Sequence, residues 1–509
     1  MENEFILYTA VSQLAAQTKA FSDNDLGQPY TWRKHGEGVR LAFLGTYHEL
    51  RDLATLLSQK RIEEGLPKTA VQRTLAQNHR GYRDLQAIFL SASDDIYDQN
   101  PAVGEWNLRT ILSHIVETER TFYALAHLGL TAFRQNQTPP PFPNDAVEIL
   151  FGSNETFWQI ADEGTLQELL DLYESIHFHS WEAFGTTSNQ EINSPTPVWW
   201  EGETYSLEYR LRRMDVHLRQ HLIQAENTLV ALGQTPNEVH QLLRQLYGAL
   251  AEVEGLLIGV PHLCQAEQQA LAATIQQRTK EISEVVTNAH ELETAVKSAD
   301  TQTIQTILQQ HPTLANAKDS SGLPLVLTAL YHQKQAVADQ LVKSGANLSI
   351  HSAAAYGDLA KVQEHVADWD GWINVVAKDG FTPLQLACFF NREDVALWLI
   401  GQGADVTAVA ENGMRIQPIH AACAANNITI INALLQNGAD VNARQANDFT
   451  PLHTAADNNS PELATLLLEH GADKTAVTTS GQTPYNWAVE RDNNEVLPLL
   501  VIAQTNQHP

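Results

Sequence analysis

Two histidines four residues apart, His217 and His221 in MDVHLRQHLIQAENTL, are the best-placed residues for chemistry in this 509-residue chain. Positions i and i+4 share one face of a helix, so both imidazoles project the same way and can take one metal ion through ring nitrogens. Spacing alone leaves a second reading open. With 20 His in the chain, about one such pair is expected by chance, and a chance pair only lines a core or faces solvent. His177 and His179 flank Phe178 at i, i+2, which puts them on different helix faces and argues against a shared ion; lining a cavity is the alternative. No phosphate-cradling glycine loop, G-x-S-x-G elbow or H-E-x-x-H occurs, so P-loop, hydrolase-elbow and zincin chemistries have no foothold. Cys264, Cys388 and Cys423 are too few for a disulfide framework, match no zinc spacing, and read as small buried apolar residues.

Helices must position any such site. Apolar residues recur at helical spacing over 3–20, 38–64, 70–96, 106–128, 160–182, 205–232, 236–260 and 265–298. Almost no strand pattern interrupts them, which predicts an all-α fold. Gly- and Pro-bearing breaks fall at 100–104, 137–143 and 185–202. The front of the chain then divides into an N-terminal helical extension (1–67), an up-and-down four-helix bundle (68–234) and a helical connector (235–289). His48, in the extension, reads as a packed or exposed histidine and not a ligand. Trp199 and Trp200, ahead of the last bundle helix, read as hydrophobic staples, with walling of a cavity as the alternative.

Lys plus Arg number 32 against 60 Asp plus Glu, a net charge of −28 spread along the chain. That field repels phosphate backbones and anionic lipid, so neither nucleic acid nor a membrane is expected as a partner. The opening MENEFILYTAVSQL has no basic stretch before its apolar residues, and no apolar run reaches about 18 residues. A cytoplasmic location is therefore expected.

The back half repeats itself. DFTPLHTAADNNSPELATLLLEHGAD (448–473), RIQPIHAACAANNITIINALLQNGAD (415–440) and GFTPLQLACFFNREDVALWLIGQGAD (380–405) align. Their turn glycines, Gly403, Gly438 and Gly471, are spaced 35 and 33 apart, and Pro383, Pro418, Pro451 and Pro484 are spaced 35, 33 and 33. These segments resemble ankyrin repeats, in which each unit buries its apolar face only against its neighbours. Six or seven units over 290–509 are expected, the early ones degraded, such as HSAAAYGDLAKVQEHV (351–366) with no T-P-L-H. His420 and His453, at the motif histidine, read as braces of the inter-repeat turn.

GEWNLRTILSHIVETERTFYALA (104–126), followed by YRLRRMDVHLRQHLIQAENTLVALG (209–233), resembles the DinB-like (YfiT-like) metalloenzyme superfamily. The resemblance lies in the Gly104-Glu105-Trp106 lead-in, the single His114 after that Trp, and the His-x-x-x-His of the last bundle helix. It implies a DinB-like bundle in which His114, His217 and His221 bind one divalent metal. Three neutral imidazoles leave open coordination positions. All-nitrogen ligation suits Zn or Ni; Mn or Fe would prefer added oxygen, which Glu117 or Glu119 could supply if they do not orient an imidazole, the alternative being acids on the helix surface. The family further implies a metal-dependent thiol transferase or hydrolase acting on a small-molecule thiol or electrophile, with the ankyrin array recruiting a protein partner. The alternative is a non-enzymatic adaptor whose bundle is only a scaffold.

Overall fold

The computed structural model describes residues 6–198 and 202–501; Trp199 and Trp200 lie outside them. Among these residues regular structure is entirely helical, with three isolated β-bridges. The chain forms two compact units, Met1–Val286 and Thr287–Pro509.

The first unit holds α1 (Ile6–Thr18), α2 (Arg40–Glu63), α3 (Ala70–Phe89), α4 (Asp94–Tyr97), α5 (Leu108–Arg134), α6 (Ala146–Phe151) and α7 (Asn154–Glu163). It continues with α8 (Leu166–Gly185), α9 (Leu207–Ala231), α10 (Glu238–Leu257) and α11 (Gln265–Ser298), which runs on past the unit boundary. The starts of the bundle helices are written locally. Thr69 with Gln72 and Thr165 with Glu168 form capping boxes for α3 and α8, while the Asn107 and Ser206 side chains accept from the first-turn amides of α5 and α9. The helical periodicity over 160–182 is in fact interrupted. Gly164 sits where an added Cβ would come within 2.5 Å of the Ile160 carbonyl oxygen, and the Thr165 capping box restarts the chain as α8.

Helices α3, α5, α8 and α9 bury one apolar core, built among others from Leu75, Ile111, Leu112, Ile115, Leu169 and Leu218. The segments expected to be an extension (1–67) and a connector (235–289) are not accessories to it. Leu14, Leu50, Leu57, Leu246, Leu250 and Ile275 form a second core joining α1, α2, α10 and α11. Helix α10 packs along both α2 and α3, so only the end of the expected connector leaves the first unit.

In the second unit α12 (Thr301–Gln310) precedes six helix pairs among the described residues. These are α13 (Leu325–Tyr331) with α14 (Gln335–Lys343), α15 (Ile350–Tyr356) with α16 (Leu359–Asp368), and α17 (Pro383–Phe389) with α18 (Glu393–Gly401). Then come α19 (Pro418–Ala424) with α20 (Ile428–Gln436), α21 (Pro451–Asp457) with α22 (Pro461–Glu469), and α23 (Pro484–Glu490) with α24 (Leu497–Leu500). Each motif proline opens its helix, where its missing N–H costs nothing. Gly471 follows α22 at φ +87°, a conformation that L side chains resist.

The motif histidines brace the turns. His453 Nδ1 lies 2.8 Å from Thr450 Oγ1 and its Nε2 lies 3.0 Å from the Gln482 carbonyl of the next unit; His420 reaches the Ala443 carbonyl at 3.0 Å. Gln385 replaces the histidine in an earlier unit, and its amide nitrogen donates to the Ala408 and Ile416 carbonyls at 2.9 and 2.8 Å. In the unit without T-P-L-H, His351 still reaches the Val375 carbonyl at 2.8 Å. In these four units a ring or amide nitrogen bridges successive turns even where the motif has decayed.

Candidate metal centre

Helix α5 starts at Leu108 and α9 at Leu207, and Ile111, Leu112, Ile115, Leu211, Met214 and Leu218 bury their facing sides. That packing fixes the rotation of both helices, and it turns His114 of α5 toward His217 and His221 of α9. The Nε2 atoms of His114 and His217 lie 3.1 Å apart and those of His217 and His221 3.2 Å apart; one ligand atom from each of the three lies within 4.8 Å of the other two. Nitrogens bound at about 2.0–2.1 Å to one tetrahedral ion stand about 3.3 Å apart, a spacing that the His114–His217 and His217–His221 separations come close to. Among the described residues no carboxylate or thiolate belongs to this cluster.

His221 is buried, and its Nδ1–H donates to Gln224 Oε1 at 2.9 Å, which leaves Nε2 as a lone pair aimed at its two partners. The Trp106 ring lies nearly parallel to His221, at 8° and 6.0 Å between centroids, and meets His114 edge-on at 5.2 Å. Trp106 is thus a wall of the site. Burial, then the neighbouring imidazoles His221 and His114, push His217 down to about 4. Burial and His221 likewise lower His114. Both rings are held neutral near pH 7, the form a metal requires. Gln224→Ala removes the partner that fixes the His221 tautomer and should weaken metal affinity by about 10- to 100-fold. Competition against a chromophoric chelator measures this, and unchanged affinity would mean the amide does not orient the ring.

The acids considered as oxygen donors go elsewhere. Glu117 is exposed on α5, and Glu119 is buried on another face, where Oε1 accepts from the Tyr173 hydroxyl at 2.6 Å. His48 pairs with Asp52 at 3.3 Å on the exposed side of α2. His177 and His179 do face different ways, His179 against Phe151 and His177 into the interior. There His177 Nε2 lies 3.0 Å from His79 Nδ1, and His79 Nε2 lies 2.7 Å from Glu254 Oε2. Arg83 is fully buried and donates to both oxygens of Glu254, at 2.9 and 2.6 Å. Sequence reasoning passed over this network because its partners are 98 to 175 positions apart. Gln224 carried a usable signal, three residues after His221 on the same helix.

A family model described as the DinB superfamily matches residues 77–225, which include all three histidines. A model for ankyrin repeats (3 copies) matches residues 350–445 and 419–508. Among curated proteins, the human DNA-binding protein RFXANK is 37% identical over 65 residues, 13% of this chain and 25% of that protein. This chain thus spans about a quarter of the length of that relative. Among the described residues no helix is long and apolar enough to cross a membrane. The helical bundle that presents the triad is therefore a DinB-superfamily domain, carried on the same chain as C-terminal ankyrin repeats.

Proposed function

We propose that His114, His217 and His221 hold one divalent cation, zinc or nickel, and that the domain acts on a small thiol or electrophile by transfer or hydrolysis. The convergence of three Nε2 atoms without a fourth protein ligand among the described residues carries this reading, because it leaves positions for substrate. A divalent ion so held is a Lewis acid that eases loss of a proton from a thiol or water. The chain's own residues keep His114 and His217 neutral, lock the His221 tautomer through Gln224, and wall the site with Trp106. The all-nitrogen donor set favours zinc or nickel over manganese or iron. The ankyrin array recruits a protein partner, and the acidity of the chain favours a basic or polar target. Three free cysteines suit the reducing cytoplasm.

One observation favours an adaptor instead: among the described residues no carboxylate in the cluster offers itself as a general base. Turnover separates the two readings. The full-length chain loaded with zinc or nickel is offered low-molecular-weight thiols with electrophiles, and hydrolysable esters and amides. Chelator-sensitive turnover, restored by the metal and lost in His217→Ala, is the expected result. A metal-loaded chain inert to all of them would leave the adaptor.

A further inference from the structure

A cleft of about 1070 Å³ opens on the first unit among residues of α2, α3, α9 and α10, and no residue of the histidine triad lines it. Its floor is aliphatic, from Ala54, Ala76, Ala251 and Leu256. Most of its charges are already matched: Arg51 pairs with Glu252, Arg219 with Asp215 at 2.9 Å, and Glu63 with Lys60 at 2.8 Å. Lys68 and Arg80 also line the cleft, and neither has an acidic partner among the described residues.

The charges around Lys68 make the imbalance larger. Arg61 is 5% exposed, yet its guanidinium meets only the Leu256 and Ile258 carbonyls and the Gln72 amide oxygen, at 2.9, 3.2 and 3.4 Å, and its Nε has no partner. Arg73 donates to the backbone carbonyl of Lys68 at 2.7 Å. Burial lowers the proton affinity of the Lys68 ammonium, and Arg61 and Arg73 lower it further, with no carboxylate opposing them. Helix α3 begins beside Lys68 with no acid in its first turn, so its positive dipole end adds to the field. In a chain with 60 acidic residues, Arg61, Lys68, Arg73 and Arg80 stand here with no ion-pair partner among the described residues, while the carboxylates lining the cleft are taken up by other cations.

We propose that this cleft binds an organic anion, its carboxylate or phosphate head drawn in by the field of Lys68 and Arg80 and its aliphatic body laid over Ala54, Ala76, Ala251 and Leu256. Calorimetric titration of the full-length chain with octanoate, octyl phosphate, inorganic phosphate and octylamine tests it. Saturable binding of octanoate or octyl phosphate is expected, with inorganic phosphate at least about tenfold weaker and octylamine silent. The better of the two octyl probes assigns the head group. Lys68→Met combined with Arg80→Met keeps the aliphatic stems and should weaken binding at least about tenfold. Ser58→Trp, at an exposed lining position, should block the cleft with its charges intact. Helical circular dichroism checks that both variants fold. Octylamine binding as well as octanoate, inorganic phosphate binding as well as octyl phosphate, full affinity in the double variant, or no saturable probe would each overturn the assignment.

Discussion

Replacing His217 with alanine is expected to lower the divalent-metal affinity of the full-length chain by at least about 100-fold, more than loss of an outer-shell partner costs. His217 is the middle member of the triad, 3.1 Å from His114 and 3.2 Å from His221 through its Nε2. Without it, two imidazoles remain, one from each helix, and among the described residues no nearby carboxylate or thiolate completes the set. Metal content after dialysis and competition with a chelator read the effect. His48→Ala and His179→Ala serve as controls, since His48 sits on the exposed side of α2 and His179 against Phe151. Metal near one per chain surviving in His217→Ala would place the ion elsewhere.

Glu254→Gln is expected to destabilise the first unit by about 3–5 kcal/mol, the cost of leaving a buried charge uncompensated. Arg83 has no exposed surface, and the two oxygens of Glu254 are its charged partners. The carboxylate also sets the polarity of the chain of rings. Accepting from His79 Nε2–H, it makes His79 Nδ1 the acceptor for His177 Nε2–H. Burial alone would raise Glu254, but Arg83 and His79 hold it down to about 2; burial pushes His79 down to about 3. Both groups therefore bind fewer protons folded than unfolded. Their contribution is complete above about pH 6.5, the ordinary histidine value, and is lost as pH falls toward 3 for His79 and from about 4.5 toward 2 for Glu254. Hydrogen exchange of the α3 amides in the full chain isolates the first unit from the array. A wild-type acid limb with that sign, and faster exchange in Glu254→Gln, are expected; protection equal to wild type would contradict the pairing argument.

How much of this was legible in the sequence depends on how far apart the cooperating residues lie. Helix starts were local, written in Thr69-to-Gln72 and Thr165-to-Glu168, and so were the ankyrin turns, where one proline and one glycine fix the register. The i, i+4 pair on α9 was equally local. Joining it to His114 needed the family resemblance, because the contact spans 103 positions and depends on how two helices rotate against each other. Residues 1–67 and 235–286 read as peripheral because helical periodicity reports that a face is buried without reporting what buries it. Where Glu119 points is hidden for the same reason: five positions from His114 on one helix, it looks toward Tyr173.

The most direct test of the triad is X-ray absorption at the K-edge of the metal bound to the full-length chain. A first shell of nitrogen at about 2.0–2.1 Å, with the outer-shell scattering of three imidazoles, is the expected result. Sulfur in the first shell, fewer than three imidazoles, or a spectrum unchanged by His217→Ala would contradict it.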